Sequence, residues 1–162
     1  MKKTLLFVIL VLMLAGCARE ETWETVADEA VQPVMAEPRE IYVALPEESV
    51  LPAMESDSGK LYICKDFDVM VETLESGDLN KTIEAVCGQS KDSLTVMETE
   101  NTDHTRYDFV WTSSGDEGEL VGRCAILDDG DYHYVLSAAV GASVFSEFEE
   151  ILSGMFESFC LA

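Results

Sequence analysis

Leu120-Val121-Gly122-Arg123-Cys124-Ala125-Ile126-Leu127, then Asp128-Asp129-Gly130-Asp131, then Tyr132-His133-Tyr134-Val135-Leu136-Ser137-Ala138-Ala139-Val140: this stretch decides the fold. Two runs rich in β-branched and aromatic residues flank an Asp-Gly pair, the composition of a tight two-residue hairpin at Asp129-Gly130. Along the returning run Tyr132, Tyr134, Leu136, Ala138 and Val140 recur at every second position. That period of two turns them to one side of a sheet.

Outward toward the C-terminus, Ser146-Glu147-Phe148-Glu149 has the spacing of a capping box. Phe148, Ile151, Leu152, Met155, Phe156 and Phe159 follow at helical spacing and form a wide apolar stripe that must pack on the sheet. Outward toward the N-terminus, Gly115 and Gly118 bracket a hairpin turn, and Tyr107, Phe109 and Trp111 share one face of the strand before it. Leu94, Val96 and Glu98 alternate along another strand, and residues 100–103 turn the chain. Ser76-Gly77-Asp78 can start a helix in which Leu79, Ile83, Val86 and Cys87 fall on one face and Gly88 supplies the stop. Leu61–Cys64, Phe67–Leu74 and Ile41–Leu45 read as earlier strands, the last ended by Pro46. The expectation is an α+β domain over residues 41–162: an antiparallel sheet of about six strands, one inserted helix, and a C-terminal amphipathic helix packed on it.

The element order, the strand Tyr132-His133-Tyr134-Val135-Leu136 and the ending Ile151-Leu152-Ser153-Gly154-Met155-Phe156-Glu157-Ser158-Phe159 resemble the PsbP-like α/β sandwich family, which includes bacterial lipoproteins of the DcrB type. The likeness spans roughly residues 40–162 and rests on pattern, with no invariant motif. It implies an accessory or interaction protein rather than an enzyme, and it carries over no functional residue.

The N-terminus carries an address. Lys2 and Lys3 precede an almost wholly apolar run from Thr4 to Leu14, shorter than the roughly 20 residues a membrane-spanning helix needs. The run ends in Leu14-Ala15-Gly16-Cys17, which resembles the lipobox of bacterial lipoproteins. The resemblance implies a signal peptide over residues 1–16, lipidation of Cys17, and a domain anchored outside a bacterial membrane by acyl chains. Residues 17–40 then read as the lipidated cysteine and an acidic tether, with Pro33, Pro38 and six carboxylates from Glu20 to Glu37 that repel one another.

Charge narrows the partners. Taking Lys2 and Lys3 from ten basic residues leaves eight against 32 acidic ones, a net of −24 for the processed chain. Nucleic acid is excluded as a natural partner, because phosphate binding needs clustered Lys and Arg. An anionic lipid surface would also repel the domain, so the membrane is reached only through the lipid. An envelope protein or ligand is the partner class that remains.

Four further cysteines, Cys64, Cys87, Cys124 and Cys160, permit two disulfides in an exported domain, Cys64–Cys87 and Cys124–Cys160; buried thiols satisfy the same pattern. No pair has C-x-x-C spacing, and no G-x-S-x-G, H-E-x-x-H or phosphate-binding glycine loop occurs. No cofactor or catalytic residue is expected. Asp128, Asp129 and Asp131 could form a weak divalent site, but aspartates also build turns by local hydrogen bonds. Alternation suggests one more feature: Arg106, Asp108, Arg123 and His133, with Asp68 and Glu72, lie opposite the apolar residues of their strands and could gather on one polar face. The expected function is a non-catalytic binding or accessory module of the cell envelope. The alternative is a hydrolase-like or redox enzyme with an unfamiliar site.

Overall fold

The computed structural model describes residues 36–47, 51–115 and 118–162. The signal segment, Cys17 and residues 18–35 of the tether lie outside these residues. The order is β1 (Ile41–Tyr42), β2 (Met54–Glu55), β3 (Gly59–Ile63), β4 (Phe67–Glu75), α1 (Leu79–Cys87), a 3-10 turn (Lys91–Ser93), β5 (Met97–Glu100), β6 (Thr105–Gly115), β7 (Gly118–Asp128), β8 (Tyr132–Gly141), α2 (Phe145–Ser158) and β9 (Cys160–Leu161). Seven strands form one antiparallel sheet in the order β2-β3-β4-β8-β7-β6-β5, while β1 and β9 pair separately. The α+β class holds, with one strand more in the main sheet than expected.

Both faces of this sheet are covered. On one face Phe67, Val69, Ala125, Leu127, Tyr134, Leu136, Ala138 and Val140 pack against Leu152, Met155 and Phe156 of α2. On the other, Phe109, Trp111, Cys124, Ile126 and Val135 pack against Ile83 of α1. The central strands β7 and β8 therefore alternate between two apolar cores rather than between a core and water.

Local chemistry sets the helix ends. Asp78 caps α1, its side chain accepting from the Asn80 N–H at 3.0 Å, and Gly88 ends it at φ 71°, where only glycine is unstrained. The capping box expected at Ser146 is not used. The turn after Gly141 delivers the chain directly into α2 at Phe145, with Val144 at the N-cap position and no side-chain cap. Three residues, Asp129-Gly130-Asp131, separate β7 from β8 where two were expected, with Gly130 at φ 97°. The stretch Leu94–Val96 is not strand; Lys91 N–H donates to the Asn80 side chain at 2.8 Å, and the chain folds Leu94 and Val96 against the α1-side core. As a result β5 begins only at Met97 and pairs with β6 from Thr105 to Asp108 alone.

Candidate functional site

The residues expected on one polar face divide between the two layers. Arg106 pairs with Leu127, Asp108 with Ala125 and Val110 with Arg123, so Arg106, Asp108 and Arg123 lie on the α2 side. His133 pairs with Asp128 and Leu74, which puts it on the α1 side together with Asp68 and Glu72. The correction has a simple cause: Asp128 stands five positions after Arg123 on β7, and an odd step changes face.

His133 is fully buried. Its Nδ1 lies 2.8 Å from Thr82 Oγ1, and its Nε2 lies 3.4 Å from Ser76 Oγ and 3.5 Å from Asp128 Oδ2. A hydroxyl, an imidazole and a carboxylate in sequence are the parts of a nucleophile relay, but a nucleophile must meet substrate. Thr82 is buried on the packed face of α1. The histidine thus pins α1 to the sheet.

The aspartates of the β7–β8 turn serve the turn itself. Asp128 Oδ1 accepts from the Gly130 N–H at 2.9 Å, and Asp129 Oδ1 accepts from the N–H groups of Asp131 and Tyr132 at 3.1 and 2.8 Å. Asp129 Oδ2 accepts from the Tyr134 hydroxyl at 2.8 Å. Among the described residues no cluster of three or more His, Cys, Asp or Glu side chains is placed to hold a metal ion.

Neither expected disulfide forms in this structure. Cys87, Cys124 and Cys160 carry free thiols, which leaves both proposed pairs unbridged. Cys87 donates to the Ile83 carbonyl at 3.2 Å, and burial pushes the Cys124 thiol well above its ordinary value, the inert state of a core cysteine. Cys64 is buried in the α2-side core, while Cys160 is exposed on β9.

The two arginines differ. Arg106 is fully committed: Nε and Nη2 hold both Asp108 oxygens at 2.6 and 2.9 Å, Nη2 also donates to the Phe156 carbonyl at 2.9 Å, and Nη1 donates to the Phe159 carbonyl at 3.2 Å. It therefore caps the carbonyl end of α2, where a cation is favoured. Arg123 sits half-buried over the Phe156 ring at 4.6 Å, with one donation of 3.4 Å to Ser153 Oγ. Among the described residues it has no carboxylate within ion-pair distance.

Arg123 lines a cleft of about 690 Å³ at the β5–β6 end of the sheet. Val110, Leu152 and Ser153 line it on the α2 side, and Leu94, Phe109 and Trp111 on the α1 side. The cleft wraps the sheet edge because β5 stops short. The Trp111 ring packs against Gly122: a Cβ there would come within 2.1 Å of it. The volume falls in the range of ordinary ligand sites. Sequence reasoning found Arg123 but missed Val110 and Gln89. Their importance depends on where β5 ends, and the alternation of Leu94 and Val96 pointed to a longer strand.

With this geometry established, two solved structures are similar. One is the Ran-binding protein Mog1p of Saccharomyces cerevisiae, with TM-score 0.51 and 14% identity, covering 75% of this chain and 89% of that one. The other is cyanobacterial PsbP (CyanoP) of Synechocystis, with TM-score 0.52 and 10% identity, covering 80% and 96%. The fold is PsbP-like. Neither a protein-family model nor a curated protein matches the chain. At these identities the likeness concerns the fold alone.

Proposed function

We propose that this protein is a non-catalytic binding module of a bacterial cell envelope, anchored outside the membrane through a lipid on Cys17 and engaging its partner through the Arg123 cleft. One observation carries the reading: a guanidinium without a carboxylate partner among the described residues faces a cleft in a chain of net charge −22. In so acidic a protein a cation has many carboxylates available, and leaving one unpaired in a concave site suits an incoming acceptor. The lipobox supports the location, and no described helix is long and apolar enough to cross a membrane. Binding in place of catalysis agrees with Mog1p, described as Ran-binding, on a similar fold.

Two measurements test the proposal. Cys17→Ala should release the protein from the membrane fraction or leave it unprocessed; unchanged membrane association rejects the anchor. Affinity capture from solubilised envelopes with wild type and Arg123→Gln should differ in at least one partner. Identical capture by the two folded proteins rejects the cleft.

A further inference from the structure

The uncovered part of β6 narrows what the cleft takes. β6 runs for eleven residues, yet β5 covers only Thr105–Asp108, so among the described residues the edge from Phe109 onward has no neighbouring strand. Thr112 directs its carbonyl outward, where it accepts from Gln89 Nε2 at 2.8 Å. Backbone direction repeats every second residue, so Val110 and Ser114 present their N–H and C=O groups to the same side. Edges are normally guarded by charge, proline or a bulge. None of Val110, Thr112 and Ser114 is charged, and Val110 is 52% exposed.

Resting on the cleft reading above, we propose that the occupant is an extended segment of a partner protein. It adds as a strand along Val110–Ser114 and sets one carboxylate on Arg123. The alternation of an added strand fixes which side chains go where. The residue opposite Val110 projects to the α2 side, where Val110 is the cross-strand neighbour of Arg123. Two strand spacings, about 10 Å, separate its backbone from that of Arg123, a gap that an arginine and a glutamate side chain together span. The residues on either side project to the α1 side, over Phe109 and Trp111. Glu149 lines the same cleft and Asp108 is already neutralised by Arg106. A second acid on the segment would meet Glu149, so the segment carries one acid between apolar residues, and the charge of the whole chain favours basic residues farther out. Gln89 occupies the Thr112 carbonyl in the unbound protein and yields it to a strand N–H.

The test uses the full chain and three synthetic peptides, written to run antiparallel to β6 and to stop where β5 begins: acetyl-Lys-Lys-Thr-Val-Glu-Val-amide, the same peptide with Gln for Glu, and the Glu peptide N-methylated at alternate amides. The Glu peptide should bind and slow amide exchange at Val110 and Ser114. The Gln peptide, or Arg123→Gln in the protein, should bind on the order of tenfold more weakly, and the N-methylated peptide should not bind. Gln89→Ala, which frees the Thr112 carbonyl, should bind the Glu peptide at least as tightly. Equal binding of the N-methylated peptide, protection elsewhere, or no binding of the Glu peptide overturns strand addition. If capture of the envelope partner still depends on Arg123 in that event, the cleft reading survives; if it does not, both fall. A concentration-dependent dimer abolished by Val110→Lys would assign the edge to a second copy and overturn the proposal.

Discussion

At the scale of single residues, Tyr134 holds together segments far apart in sequence. Its side chain is fully buried, its hydroxyl accepts from the Arg39 N–H at 2.9 Å and donates to Asp129 at 2.8 Å, and Arg39 reaches on to Asp103 at 2.6 Å. Burial first, and the Asp129 acceptor second, push the Tyr134 phenol up to about 12. Burial alone would also raise the Asp129 carboxyl, but donation from the Tyr132 N–H, the Tyr134 hydroxyl and the Asp131 N–H brings it below its ordinary value. Such a carboxylate contributes stability that is present above the unfolded value of 3.8 and lost as pH falls through the lower folded value. Tyr134→Phe should therefore cost about 1–3 kcal/mol in urea unfolding. It should also move the acid limb of stability toward higher pH, because Asp129 loses a donor. An acid limb unchanged by the substitution would show that the phenol does not set the Asp129 proton affinity. At this scale the sequence was only partly legible: Tyr134 was readable as core, but its polar partners come from Arg39 and a turn aspartate. Arg106 read as part of an open polar face with Asp108, since nothing local shows that the end of α2 arrives beside it.

At the scale of elements, the β6–β7 pair and α2 control the cleft. Gly122 faces Trp111 across the ladder, and the ring occupies the space where a side chain would begin. Gly122→Ala should cost about 1–3 kcal/mol through overpacking and displace the Trp111 ring. Adding Trp111→Leu should recover part of that loss if the clash is its cause, which a double-mutant cycle in urea measures. On α2, Phe156 is fully buried and carries Arg123 on its ring. Phe156→Ala should cost about 3–5 kcal/mol; an unchanged midpoint would mean that the stripe does not face the core. The helices, β4 and the three long strands β6, β7 and β8 were legible because each has a sustained period, and all but α2 have a glycine or aspartate at or beside a boundary. β2 is two residues long and has no period to read. Leu94 and Val96 do alternate, but the Lys91–Asn80 hydrogen bond upstream turns them inward.

At the scale of the whole molecule, layering was the least legible feature. His133, Asp68 and Glu72 read as part of one polar face opposite the apolar residues of their strands, whereas they lie on the α1-covered side of the sheet. A strand between two cores shows weak alternation, and Val135 at a supposedly outer position was the sign of it. Net charge acts at this scale too. At −22 the surface repels itself, so the melting temperature should rise as sodium chloride goes from about 0.02 to 0.5 M, beyond the point where the screening length becomes short. A flat or falling profile would place the charges too far apart to matter. The aromatic wall over Gly122 has an optical consequence. The chain has two tryptophans, Trp23 and Trp111. With Trp23→Phe, all indole emission comes from a ring that lines the cleft, and the protein reports on its own occupancy by colour and quenching, without a dye.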